Sequence, residues 1–436
     1  MKLRILSIFS VAALVASACS STPAATTAPS VGASVAPSVA TKGTLKIGTE
    51  LPMSGGETAN GEPTANGVKL AIAQQNAKGG AGGYTLDINV QDDAVNGAHD
   101  PQTGAKNIGL LAADASVVGV VGPFNSSVAQ VEIPVSNEAG LLQCSPANTN
   151  TGLTYLPDAL KYRPSHPDKL AYIRTAAPDS IQGPAGADYV YNDLGKKAVY
   201  ILDDTETFGV GVGDSFQAEF IKDGGKVVKR DSAPKSTTDY TPQFTAAAAL
   251  KPDVVYLAGT TPTGMGLALK QGRTVPGLDT IPFMGPDGVA DLGPGGTKGA
   301  TITIAGPAAH DTYGTVAGDH DIPNAAQFIT DYQAMFGKAP GAYSSAAYAC
   351  AQVIIAGIVK AASSGTSDMA AIREAVRANA TAAGNSFDTV LGTITFDKNG
   401  DNTKPYMSFY KVDLTAGGGK GEWVFVKQQA FTDPNA

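Results

Sequence analysis

The chain has 436 residues, 43% of them hydrophobic, and carries a net charge of −8. That length allows two domains with real cores rather than one. The acidic balance, with no basic cluster, argues against nucleic acid or an anionic membrane surface as partner.

Lys2 and Arg4 open the chain, and residues 5–16 form an apolar run too short to span a bilayer comfortably. Ala16, Ser17 and Ala18 then lead into Cys19. This order resembles a bacterial lipoprotein signal, cleaved before Cys19 and lipidated on it, although Ala16 stands where such signals usually carry Leu. An ordinary secretory signal is the alternative. Either way the expected mature protein works outside the cytoplasm, here held to the bacterial membrane through lipid alone. Residues 1–18 are thus the expected signal. Residues 19–43, rich in Ser, Thr, Ala and Pro, bury too little surface to fold and are expected as a disordered tether. No other run is expected to be a membrane helix.

From Thr44 strands and helices alternate. Residues 45–51 read as a strand. Val68, Ala71, Ile72 and Gln75 share a helical face that Gly79-Gly80 ends. Leu86, Ile88 and Val90 mark a strand, and residues 102–113 a helix. The run Val117-Val118-Gly119-Val120-Val121 has the character of a parallel strand covered on both faces, and residues 141–145 are similar. A second series starts near Tyr172, with strands at 198–202, 226–229, 253–258 and 281–284. Helices at 213–221, 241–250 and 264–271 lie between them. Helices near 324–337, 343–363 and 368–378 follow. Strands at 393–396, 407–412 and 423–426 close the chain, with a turn at Asn399-Gly400. The fold class is α/β: two lobes, each a parallel sheet with flanking helices. Ligands of such sheets bind beyond the carboxyl ends of the strands.

Three loops lie at such ends. Gly122-Pro123-Phe124-Asn125-Ser126-Ser127 leads into a helix, with Ser126 placed as its N-cap, a setting suited to an anion. Ser145-Pro146-Ala147-Asn148-Thr149 offers another hydroxyl and an exposed carbonyl. Phe283-Met284-Gly285-Pro286-Asp287-Gly288 presents an acid. Each has a plain structural reading, as a cap or a turn. Together they fit a ligand with one negative and one positive group, an amino-acid zwitterion. Cys144 and Cys350 could pair in an exported protein, but their apolar settings favour two buried thiols. His99, His166, His310 and His320 make no metal spacing, and Gly209-Val210-Gly211-Val212-Gly213 lacks the Lys-Ser/Thr of a phosphate loop. No enzyme, metal or cofactor is expected.

From Thr44 onward the chain resembles the branched-chain amino-acid (Leu/Ile/Val) binding proteins of ABC importers. Met53-Ser54-Gly55, Asn76-Ala77-Lys78-Gly79-Gly80, Gln91-Asp92-Asp93, Ser145-Pro146-Ala147, Gln182-Gly183-Pro184 and Phe283 to Ala290 carry the resemblance by order and spacing. It implies the type I periplasmic-binding-protein fold with three crossings between lobes, near Arg174-Thr175, Gly306-Pro307 and Leu391-Gly392. The N-terminal lobe is then 44–175 with 308–391, and the C-terminal lobe 176–307 with 392–436. It also implies that Ser126 and Thr149 hold a ligand carboxylate, while the Ala147 carbonyl and Asp287 hold its ammonium. Phe124 and Asn125 fall in the same site. Phe208 stands where Tyr is common, and Asn60 and Thr260 where well-known members carry Tyr, so the side-chain pocket is not carried over. The implied partners are an amino acid, an ABC permease and its ATPase subunits, with the chain acting as a monomer. A ligand-sensing receptor component, or a binder of an amide or aromatic acid, is the alternative.

Overall fold

The computed structural model describes residues 42–318 and 320–432; the signal and Cys19 lie outside the described residues. In chain order the strands are β1 (Thr44–Leu51), β2 (Thr85–Asp92), β3 (Ala94–Val95), β4 (Ala98–His99), β5 (Val117–Val121), β6 (Gln143–Ser145) and β7 (Tyr172–Arg174). There follow β8 (Ala198–Asp203), β9 (Lys226–Ser232), β10 (Val254–Ala258), β11 (Phe283–Gly285) and β12 (Thr312–Val316). The last are β13 (Ser386–Thr389), β14 (Gly392–Thr395), β15 (Tyr406–Asp413) and β16 (Glu422–Ala430). One sheet runs β2-β1-β5-β6-β7 and is parallel throughout. The other runs β16-β15-β12-β11-β10-β8-β9. Its β9-to-β12 part is parallel, whereas β15 and β16 add an antiparallel edge. The short link between β15 and β16 has no room for the crossover that a parallel pair requires.

Strand β5 is buried at every position, as its unbroken apolar run predicts. Val118 and Val121 pack with Ile354 and Ile358, and Val117 and Val120 with Ile108 and Leu111. Gly119 makes room for the helix Ser344–Ser363: a Cβ there would lie 2.9 Å from the Ile354 side chain. This helix corrects one expectation, because it is long and apolar enough to cross a membrane by composition. Its apolar residues, among them Ala347, Val353, Ile354 and Ile358, are instead buried in the core of the first lobe.

A second correction concerns the cysteines. Cys144 on β6 and Cys350 on that helix form a disulfide, with Cα atoms 5.5 Å apart. Burial in apolar segments brought the two sulfurs together rather than keeping them apart as thiols.

Two of the three expected lobe crossings also shift. Strand β7 ends at Arg174 on the edge of the first sheet, and Ala176 and Ala177 already belong to the second core. Strand β12 lies in the second sheet, so the return crossing follows Val316 and not Gly306-Pro307. Its sequence, Thr-Tyr-Gly-Thr-Val, shows no apolar alternation, yet Thr312 and Thr315 are buried. Phe387 and Ile394 of the β13–β14 hairpin, and Phe396 just after it, pack in the first core. The last crossing therefore falls between Phe396 and β15, not at Leu391-Gly392.

Candidate functional site

The cleft between the sheets is lined by Phe124, Asn125, Ser126, Ala147, Thr149, Phe208, Thr260, Asp287 and Gly288. Eight of these are residues singled out from the sequence. Asn60, on the helix Thr58–Ala77, lies outside this lining; Gly288 joins it.

The first loop turns at Gly122, whose φ of 133° is open to glycine and where a Cβ would lie 2.1 Å from the Glu50 carbonyl oxygen. It delivers the chain to the helix Ser126–Ala139. The N-cap is Asn125, not Ser126 as the sequence implies; Ser126 is the first helical residue. Asn125 makes no side-chain capping bond, and its Oδ1 is buried without a partner. The first-turn N–H groups and the positive end of the helix dipole are thus left to a ligand.

The second loop is fastened to the first by side chains. Ser145 Oγ donates to the Pro123 carbonyl at 2.7 Å and accepts the Asn148 N–H at 2.9 Å. Asn148 Nδ2 donates to the Phe124 carbonyl at 2.7 Å, and Tyr172 Oη donates to Asn148 Oδ1 at 2.8 Å. Arg174, fully buried and paired with Asp401, donates to the Asn150 carbonyl at 2.8 Å and to Thr154 Oγ1 at 2.7 Å. These bonds leave the Thr149 hydroxyl buried and uncommitted within its own loop.

The third loop comes from the other lobe. Asp287 follows β11 and is 7% exposed. One oxygen accepts the Tyr343 hydroxyl, and the other has no partner. Burial pushes its carboxyl up to about 6, against the pull of the Tyr343 and Gln182 side chains. Phe208, at the start of the helix Thr207–Lys222, and Thr260 form the remaining wall. Asn150 Nδ2 donates to the Thr207 carbonyl at 3.0 Å, so the lobes touch directly and the cleft is closed.

Three side chains not named as site residues from the sequence belong here: Asp179, Gln182 and Tyr343. Asp179 is 1% exposed and opens the helix Asp179–Asp188. The Gln182-Gly183-Pro184 segment was visible as a marker, but nothing in the sequence placed it beside Asp287. For a metal, one group of carboxylates among the described residues is close enough together: Asp188, Glu219 and Asp223, partly exposed, with Glu219 already bonded to Lys222 at 2.7 Å.

A hydroxyl-bearing helix start therefore faces a buried acid across a closed cleft between two α/β lobes. The sequence profile of the periplasmic binding proteins matches residues 44–420. The chain belongs to the periplasmic binding protein family. This binding-protein chain is similar to the Leu/Ile/Val-binding protein BraC3 of Rhizobium johnstonii, 30% identical over 370 residues, which cover 84% of the chain and 91% of the relative. Its fold is similar to that of a solved leucine-binding protein, LivK, of Thermotoga maritima, with a TM-score of 0.71 and 24% identity over 89% of this chain and 99% of that one. A Rhodopseudomonas palustris solute-binding protein solved with 4-hydroxybenzoate has the same fold, with a TM-score of 0.71 and 19% identity over 90% and 98%. The family works outside the cytoplasm.

Proposed function

We propose that this chain captures an amino acid, of the branched-chain class, and delivers it to an ABC importer. The observation that carries this reading is the pairing of opposite preferences in one cleft. The uncapped start of the helix Ser126–Ala139 favours a carboxylate. The partnerless oxygen of Asp287 and the Ala147 carbonyl favour an ammonium. Ser126 and Thr149 add hydroxyl donors at the carboxylate end. Phe124 and Phe208 leave an apolar wall for the side chain. Each group in this set is assigned a part in binding and orienting the ligand.

Phe124 and Phe208 also suit an aromatic acid, the ligand of the Rhodopseudomonas structure. Asp287 weighs against it, because a buried acid with no cation opposite would be stranded. The chain works as a monomer with a permease and ATPase subunits, held to the membrane by lipid on Cys19.

Mass spectrometry of ligand released from the purified protein, followed by a thermal-shift screen, tests the reading. Leucine, isoleucine or valine should raise Tm. Stabilisation by benzoates alone would overturn it. For the anchor, Cys19→Ala should move the protein from the membrane to the soluble fraction; wild-type protein found wholly soluble with an unmodified Cys19 would refute lipidation.

A further inference from the structure

The cation end of the cleft holds more acid than one ammonium needs. Near Asp287 lies Asp179, whose carboxyl is fully buried and has the Thr149 hydroxyl as its neighbouring donor. Its backbone N–H donates to the Thr149 carbonyl at 2.6 Å, which fixes it against the second ligand-binding loop. The Thr149 hydroxyl faces its carboxyl. Gln182, one turn further along the same helix, is also buried, and its side chain faces Asp287. Asp179, Gln182 and Asp287 thus gather buried polar groups whose neighbours are chiefly one another and Thr149, with more acceptor oxygens than donors to fill them. Buried groups in that state wait for a partner that the protein does not itself supply.

Two carboxyl groups in one dry pocket do not both ionise without a cation. Among the described residues the surroundings offer none that is uncommitted. Arg174 faces Asp179 from β7, but its guanidinium is bonded to Asp401. Tyr256 faces both acids from β10, and Tyr343 from the start of the helix Ser344–Ser363; burial and the acids push both phenols far up, so they remain neutral. Tyr343 already donates to Asp287.

We propose that Asp179 is a positioning acid of the ligand site, and that the Asp179–Asp287 pair holds one proton in the empty cleft and releases it when a ligand ammonium docks. The proposal rests on the amino-acid reading above. The atoms balance simply: the carboxyl O–H breaks, the proton leaves to solvent, and the docked ammonium supplies the lost positive charge. Asp179 itself need not touch the ligand; it acts through Thr149 and Asp287. Burial and the neighbouring Asp287 push the Asp179 carboxyl up to about 8, which places the proton-holding state across neutral pH.

The test is calorimetry of leucine binding to the full mature chain, in buffers of differing ionisation heat. Wild type should release close to one proton at pH 7, and its affinity should rise with pH by up to about tenfold per unit between pH 6 and 8. In Asp179→Asn the release at pH 7 and the slope between pH 7 and 8 should vanish. A measurement on wild type alone guards against misfolding of the variant: the infrared difference spectrum on adding leucine should lose a protonated-carboxyl band. Binding without proton release, release that persists in Asp179→Asn, or an unchanged carboxyl band would each overturn the role of Asp179 while leaving the amino-acid reading standing. Absence of binding by any zwitterion at any pH would overturn that reading and this proposal together.

Discussion

Asp287 has one oxygen committed to Tyr343 and one left open, inside a pocket that water hardly reaches. Truncating one side of a buried charge pair costs about 2–5 kcal/mol, because the other charge is stranded. At about 1.4 kcal/mol per decade, Asp287→Asn should weaken binding of every zwitterionic ligand by more than tenfold, as calorimetry would read it. Ser126→Ala should cost less, about 1–3 kcal/mol, since the backbone N–H at the helix start remains. Near-wild-type affinity in Asp287→Asn would make that acid a turn residue. The sequence made Asp287 legible because an apolar strand run stops at Pro-Asp-Gly. The same logic exposed Ser126 and Thr149, each in a loop just beyond a strand. It failed for Asp179 and Tyr343, which sit at helix starts that look like any other. It failed too for Arg174, whose partner Asp401 is 227 residues away. Local pattern marks a loop's chemistry, but not which distant side chain the fold sets behind it.

At the scale of elements, the helix Ser126–Ala139 carries an acid inward. Glu132 is fully buried; one oxygen accepts Gln143 Nε2 at 2.6 Å, and its carboxyl also faces that of Glu50. Glu50 from β1 and the buried Asp93 complete a buried acidic group. Burial, then Glu50, raises the Glu132 carboxyl well above its ordinary 4.5. A raised acid is neutral in the fold but ionised in the unfolded chain above pH 4.5, so its stabilising contribution is complete below that pH and is lost as pH rises towards the folded value. Thermal unfolding should accordingly show a Tm that falls from pH 5 towards pH 8, and Glu132→Gln should flatten the fall. An unchanged slope in that variant would place the ionisation elsewhere. The Cys144–Cys350 bond ties β6 to the helix Ser344–Ser363 across 206 residues of sequence. Its removal by Cys350→Ser should lower stability by about 2–5 kcal/mol, visible as a lower denaturant midpoint. Elements with clean periodicity, such as β5 and Ser344–Ser363, were plain in the sequence. Strand β12 was not, because its buried faces are filled by threonines rather than by alternating apolar residues.

For the whole molecule, the alternation of strands and helices was enough to show two α/β lobes, while the points of crossing depended on pairings that only the folded sheets display. The direct bond from Asn150 to Thr207 describes a closed cleft. If this closure needs a ligand, the empty protein should be more extended. Small-angle scattering should then give a smaller radius of gyration at saturation than without ligand. An unchanged radius would mean that closure is not ligand-driven. The disulfide has one more consequence. Apart from Cys19, the chain's cysteines are only Cys144 and Cys350, and they meet only once strand and helix have come together. In a reducing cytosol both stay available to alkylation; in an oxidising compartment neither does. With Cys19 replaced by Ala, a maleimide-linked polymer added to unfolded, unreduced samples would therefore shift the gel band of chains still awaiting translocation and spare the delivered ones. The pair works as a postmark, recording on each molecule which side of the membrane it has reached.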